Sequence, residues 1–283
     1  MERLQKEAGP KDESSGRDVF SHPPKLSNAK GDCPQLAEKT NGLYFRHTGD
    51  SAAMFTLFHH PFCPHSRFVR LSLGEYAIEA RLVDERPWER RESFLVLNPA
   101  GTTPVLIEEG HPAIPGAQII SEYLDETRGG ALGEHRLLPR ETDSRVEVRR
   151  LTNWFEDKFA EEVSAPLMKE RIFKRYMTMD QGGGPPDTAI MRAARANIRY
   201  HLSYIGWLVS NRDWLAGERL TYADLAAAAH LSAVDYLGDV PWNANETARA
   251  WYARVKSRPS FRPLLADVAA GLPPSENYAN LDF

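Results

Sequence analysis

The residues best able to do chemistry are gathered in Cys63-Pro64-His65-Ser66. A thiol, an imidazole and a hydroxyl there precede a run with helical spacing. A helix N-terminus carries about half a positive charge and free N–H groups, which favour a thiolate. Cys63 is therefore a candidate nucleophile and Ser66 a candidate catalytic hydroxyl. Each also has a plainer reading, Cys63 as a small apolar residue packed under the turn and Ser66 as an N-cap. His59 and His60 come just before, but no cysteine or carboxylate stands at ligand spacing from them, so no metal site is expected.

The elements that must position this turn can be read from apolar spacing. Met54–Phe58 predicts a buried strand, and Phe68, Leu71 and Leu73 predict a helix over Pro64–Tyr76. A strand over Ala80–Asp84, a short helix over Glu89–Leu97, a strand over Val105–Glu108 and a helix over Gln118–Thr127 come next. After a link over 129–139 the pattern is wholly helical. Val148, Leu151, Phe155, Phe159 and Val163 mark a long amphipathic helix, which Pro166 is expected to end or bend. Gly182-Gly-Gly-Pro-Pro186 is a break, and Ile190 to Leu208 marks the next long helix. Thr221-Tyr-Ala-Asp224 has the form of a capping box, with Asp in the usual Glu place, opening an alanine-rich helix to Tyr236. Helices over Thr247–Ser257 and Phe261–Ala270 complete the pattern. The fold class is an α/β N-terminal thioredoxin-like domain over 54–130 and an all-α C-terminal domain over 139–270. A disordered tail over 1–53 and a C-terminal tail over 271–283 flank them.

Composition narrows the function. A net charge of −4 across 283 residues shows no basic excess, which argues against wholesale nucleic-acid binding. No apolar run approaches the roughly 20 residues of a membrane span. Two cysteines, Cys33 and Cys63, fit a reducing cytoplasm rather than a disulfide framework. Residues 1–53 have too few bulky apolar side chains to offset ordering entropy, and Met54, at the first residue of the first strand, is an alternative natural start.

Several motifs together resemble the cytosolic glutathione transferase family. They are Pro61-Phe-Cys-Pro-His-Ser66, Asn98-Pro-Ala-Gly101, Thr103-Pro104, Trp214-Leu-Ala-Gly217, Leu220-Thr-Tyr-Ala-Asp224, Trp251-Tyr-Ala-Arg-Val255 and Arg258-Pro-Ser-Phe261. The resemblance implies a cis bond at Thr103-Pro104, with the Thr103 backbone pairing with a peptide ligand. It implies a glutathione site that includes Cys63 and His65, in which Cys63 forms a mixed disulfide with glutathione or Ser66 takes the catalytic place. In that family a Glu/Gln-Ser pair grips the γ-glutamyl end of glutathione. The matching positions here are Gly116 and Ala117, which have no side chain for the task. Two lost charge-assisted contacts, each worth roughly 1.5–3 kcal/mol, predict weak glutathione binding. No cofactor is expected, and Cys63 then reads better as packing than as chemistry.

Other features suit a protein partner. Glu85-Arg-Pro-Trp-Glu-Arg-Arg91 sets Trp88 in a charged loop, and Trp and Arg are enriched at interface hot spots. Met168 to Met177 interleaves basic and apolar residues, and the chain ends on Leu281-Asp-Phe283. With His59-His-Pro61, Phe173-Lys-Arg175, Gly182-Gly-Gly184 and Asp235-Tyr-Leu-Gly238, these motifs resemble an alphaproteobacterial branch of the family that binds the tubulin homologue FtsZ during division. That resemblance implies a non-catalytic, homodimeric FtsZ-filament adaptor in the cytoplasm at the division site. It places partner contacts at Trp88, Glu170, Arg171 and Asp282. The alternative is a glutathione-dependent thiol transferase using Cys63.

Overall fold

A computed structural model of the protein describes residues 55–280. The expected tail over 1–53, Met54 and Asp282 lie outside the described residues. The first half is a four-stranded sheet in the order β2-β1-β3-β4. Strand β1 (Phe55–His59) lies at its centre, parallel to β2 (Ala80–Asp84) and antiparallel to β3 (Val105–Glu108). A two-residue strand β4 (Ile114–Pro115), too short to leave a periodic signal, pairs with β3. Helix α1 (Pro64–Glu75) connects β1 to β2, and α3 (Ala117–Arg128) comes after β4.

Between β2 and β3 the expected helix over Glu89–Leu97 is two pieces. A 3₁₀ turn covers Pro87–Glu89, and α2 begins only at Glu92 and ends at Leu97. Arg90 between them takes a left-handed backbone at φ 46°, which no helix can continue through.

The helical half is built around α7 (Tyr222–Tyr236), every residue of which is buried. Its run of alanines lets neighbours approach on all sides. The expected capping box forms, with Asp224 accepting from the Thr221 N–H and hydroxyl. Asp224 also accepts from the Leu215 N–H and the Trp251 indole, so its buried carboxylate is well supplied with donors. Helices α6 (Thr188–Val209) and α8 (Glu246–Lys256) complete this layer.

The long helix predicted from Val148 to Val163 forms as α4 (Thr142–Asn153), a π-helical segment over Trp154–Ser164 and α5 (Ala165–Arg171), without an interruption. Pro166, which has no N–H to give, falls in the first turn of α5, where the spacing returns from π to α.

The expected helix over Phe261–Ala270 is shorter. A 3₁₀ turn (Pro259–Phe261) leads into α9 (Arg262–Leu265), and the chain then leaves helical geometry. The competing partners explain this. Asp267 is taken by Arg67 and Arg70, while the Ala269 and Ala270 N–H groups donate to the hydroxyls of Tyr236 and Tyr176. The tail is also anchored as far as it is described. Tyr278 is fully buried and its hydroxyl donates to the Leu264 carbonyl, and Lys256 donates to the Asn277 carbonyl.

Candidate functional site

Cys63 is the N-cap of α1, in extended geometry, with its N–H donating to the His60 carbonyl. Its half-buried thiol lies 3.8 Å from the Thr103 carbonyl. The Thr103–Pro104 bond is cis. Ser66 is not the N-cap, because the helix already begins at Pro64. Its hydroxyl is buried and has no hydrogen-bond partner among the described residues. Arg67 locks the turn to the helical half. Its fully buried guanidinium donates to the Pro61 carbonyl, the Ser232 hydroxyl, the Tyr278 hydroxyl and Asp267.

Beside this turn the fold assembles a cluster that the sequence does not announce. His65 Nδ1 lies 2.9 Å from Glu156 Oε2, and His230 Nε2 lies 3.0 Å from Glu156 Oε1. His230 Nδ1 in turn meets the Ser164 hydroxyl at 2.8 Å. Glu156, Ser164 and His230 are buried, whereas the His65 side chain is 35 % exposed. Burial works against a charged His65, but the Glu156 carboxylate outweighs it and holds the imidazole up at about 9. Burial would likewise raise Glu156, yet the two imidazoles pull it down to about 2. His230, wholly enclosed, is pushed down by burial. The cluster thus reads as a carboxylate held between one protonated and one neutral imidazole. The partners are 91 and 74 positions apart, far beyond any ligand-spacing pattern. The available signal was a carboxylate on the apolar stripe at Phe155 and a histidine inside an alanine run.

His59 and His60 behave differently. Burial, with Arg70 and other cations near His59 and Arg86 near His60, lowers them to about 3 and about 4. His60 Nδ1 accepts the Phe62 N–H, as only a neutral ring can.

At the positions where the family resemblance expects a ligand grip, Gly116 has φ 90° and caps α3, and Ala117 is buried. The Gly116 N–H is already given to the Pro104 carbonyl at 3.0 Å. No side chain at either position can accept from an ammonium or donate to a carboxylate.

The partner residues suggested by sequence fall into distinct settings. Trp88 is half-buried, with its ring 5.3 Å from Phe173 and 5.5 Å from His60, and its buried indole N–H has no partner among the described residues. Arg86 lies over the Tyr176 ring at 5.5 Å, and Arg175 donates to the Gly271 carbonyl. The Trp88 loop, the 173–176 turn and the start of the tail therefore meet on one surface. Glu170 is not on it. Its carboxylate is buried, accepting from Lys174 and from the Asp187 N–H, so the fold has already used its charge. Arg171, partly exposed, bridges to Asp239 and the Leu237 carbonyl. The glycine break holds this surface in shape, since a Cβ on Gly183 would run into the Met177 carbonyl.

Comparison with known proteins adds the ancestry. The glutathione S-transferase N-terminal domain model matches residues 57–132, and the C-terminal domain model matches 149–259. FtsZ-localized protein A of Caulobacter vibrioides is 46% identical over 231 residues, covering 81% of this chain and 98% of that protein. The crystal structure of a glutathione S-transferase from Sinorhizobium meliloti superposes with a TM-score of 0.80 at 55% identity, covering 81% of this chain and all (100%) of that one. The structure of FzlA from C. crescentus gives 0.74 at 46% identity, covering 81% of this chain and 99% of that one.

Proposed function

The chain belongs to the glutathione S-transferase family, and we propose that it has left that chemistry to serve as an adaptor on FtsZ filaments in cell division. One observation carries the reading. The Trp88 loop, the basic turn Phe173–Tyr176 and the start of the tail converge on a single surface, while the ligand-grip positions Gly116 and Ala117 are bare. The name of the Caulobacter relative, FtsZ-localized, points the same way.

On this reading Trp88, the residues around Phe173 and Asp282 touch the filament. Glu170 acts from inside by fixing Lys174 and the start of α6, and Arg171 holds α5 to the end of α7. Glutathione binds weakly or not at all, and Cys63 and Ser66 pack rather than react. No helix among the described residues is long and apolar enough to cross a membrane. The protein acts as a homodimer, for which the exposed apolar side chains Ile119 on α3 and Val146 on α4 offer a face. Two filament sites per dimer would raise avidity by roughly 10²–10⁴ where the spacing fits.

Co-sedimentation with GTP-assembled FtsZ tests the proposal. Wild type and Cys63→Ser should pellet with polymer, and Trp88→Ala should bind roughly thirtyfold more weakly, as a hot spot worth about 2 kcal/mol requires. A wild type that never pellets ends the adaptor reading. Thiol-transferase turnover that disappears in Cys63→Ser would favour the enzyme instead.

A further inference from the structure

The geometry points to a zinc-class metal site formed by His65, Glu156 and His230, which clamps the Cys63 turn of α1 to the helical half. The site does not depend on the adaptor reading.

The donor set comes first. One nitrogen of each imidazole and one carboxylate oxygen lie within 4.8 Å of one another. Two imidazoles and a carboxylate form a known zinc ligand set that leaves a fourth position open. Hard cations such as calcium and magnesium take oxygen ligands instead. Zinc–nitrogen and zinc–oxygen bonds of about 2.0–2.2 Å set tetrahedral donor separations of roughly 3.3–3.5 Å. The two imidazoles sit on different oxygens of Glu156, His65 at 2.9 Å from Oε2 and His230 at 3.0 Å from Oε1, so the carboxylate already lies between them. To share one metal ion the imidazoles must approach each other and the carboxylate must turn, and His65, on the first turn of α1 and 35 % exposed, is the ligand with room to move.

The surroundings fit as well. The Ser164 hydroxyl at 2.8 Å on His230 Nδ1 fixes the ring so that Nε2 faces the site, the outer-sphere contact that ligating histidines commonly have. Glu156 and Ser164 both come from the π-helical segment, and such segments are rare and concentrate at functional sites. Glu156 and His230 are buried, and the two rings meet edge to face at 5.1 Å. Solvent reaches the site from the His65 side and would supply a water at the open fourth position.

The test uses the full chain, stripped with chelator and then equilibrated with Zn²⁺ or with Co²⁺ as a visible probe. Other metal-binding side chains, among them His22, Cys33 and His47, are common to wild type and variant, so the comparison isolates this site. Wild type should hold one Zn²⁺ more per chain than His65→Ala and show tetrahedral Co²⁺ absorption that the variant lacks. Zn²⁺ should also raise the unfolding temperature of wild type only. Ser164→Ala, which keeps all three ligands, should weaken Zn²⁺ about 10–100-fold. Equal metal content and equal Co²⁺ spectra in wild type and His65→Ala, both folded by circular dichroism, would overturn the assignment. So would an absence of Zn²⁺ uptake in wild type.

Discussion

His60 and His65 stand five residues apart at the two ends of one turn, and the folded chain gives them opposite electrical states. His60 packs among Phe62, Trp88 and Phe173 and accepts a backbone N–H, so it stays neutral. His65 faces a buried carboxylate and stays protonated in the absence of metal. Both regions join the sheet half to the helical half. The His65 region does so by charge, with Glu156, His230 and Ser164 paired to one another and to His65. The His60 region does so by aromatic contact and leaves the Trp88 N–H without a partner and the ring half-exposed. A saturated contact favours rigidity, whereas an unsaturated one suits recognition.

The largest expected effect lies on the charged side. Glu156→Ala strands two imidazoles and should destabilise the protein by roughly 3–5 kcal/mol in urea unfolding. An unchanged midpoint would mean that the cluster contributes nothing to joining the halves.

Acid should act on the aromatic side. The folded pKa values of His59 and His60 lie below the ordinary 6.5, so the unfolded chain binds more protons as pH falls. The stabilisation is complete above about pH 6.5 and is lost progressively towards about pH 4 for His60 and about 3 for His59. From pH 6.5 to 5, a gap of about 1.5 units, the loss should be roughly 2 kcal/mol for each histidine. His60→Phe should flatten the slope by its own share, with His59 and the buried His230 and His201 supplying the rest, and an unaltered slope would assign the acid sensitivity elsewhere.

Trp88→Ala should cost only about 1–2 kcal/mol of stability, since the ring is half-exposed. A loss as large as that of Glu156→Ala would remove the contrast between the two regions. Ser66→Ala is the smallest change. It deletes a buried hydroxyl without a partner, so stability should stay within about 0.5 kcal/mol or rise. A clear loss would indicate a partner for Ser66.

Much of the architecture was legible because its causes are local. The strands over 80–84 and 105–108 arise from apolar patterning, and the Thr221–Asp224 cap forms from four consecutive residues. Boundaries failed where distant groups took over the backbone. Helix α9 stops at Leu265 because two arginines hold Asp267 and two tyrosine hydroxyls take the N–H groups of Ala269 and Ala270. Glu170 turns inward because Lys174 and the Asp187 N–H receive it.

Residue order alone was enough to set the family and the strand–turn–helix presentation of Cys63, since each rests on neighbouring residues. The folded chain was needed to decide which histidine carries charge, and that Trp88 meets Phe173 while Glu156 meets His65 and His230. Proton affinity depends on burial and on charges a few ångströms away, and the chain brings those groups together from as far as 91 residues apart.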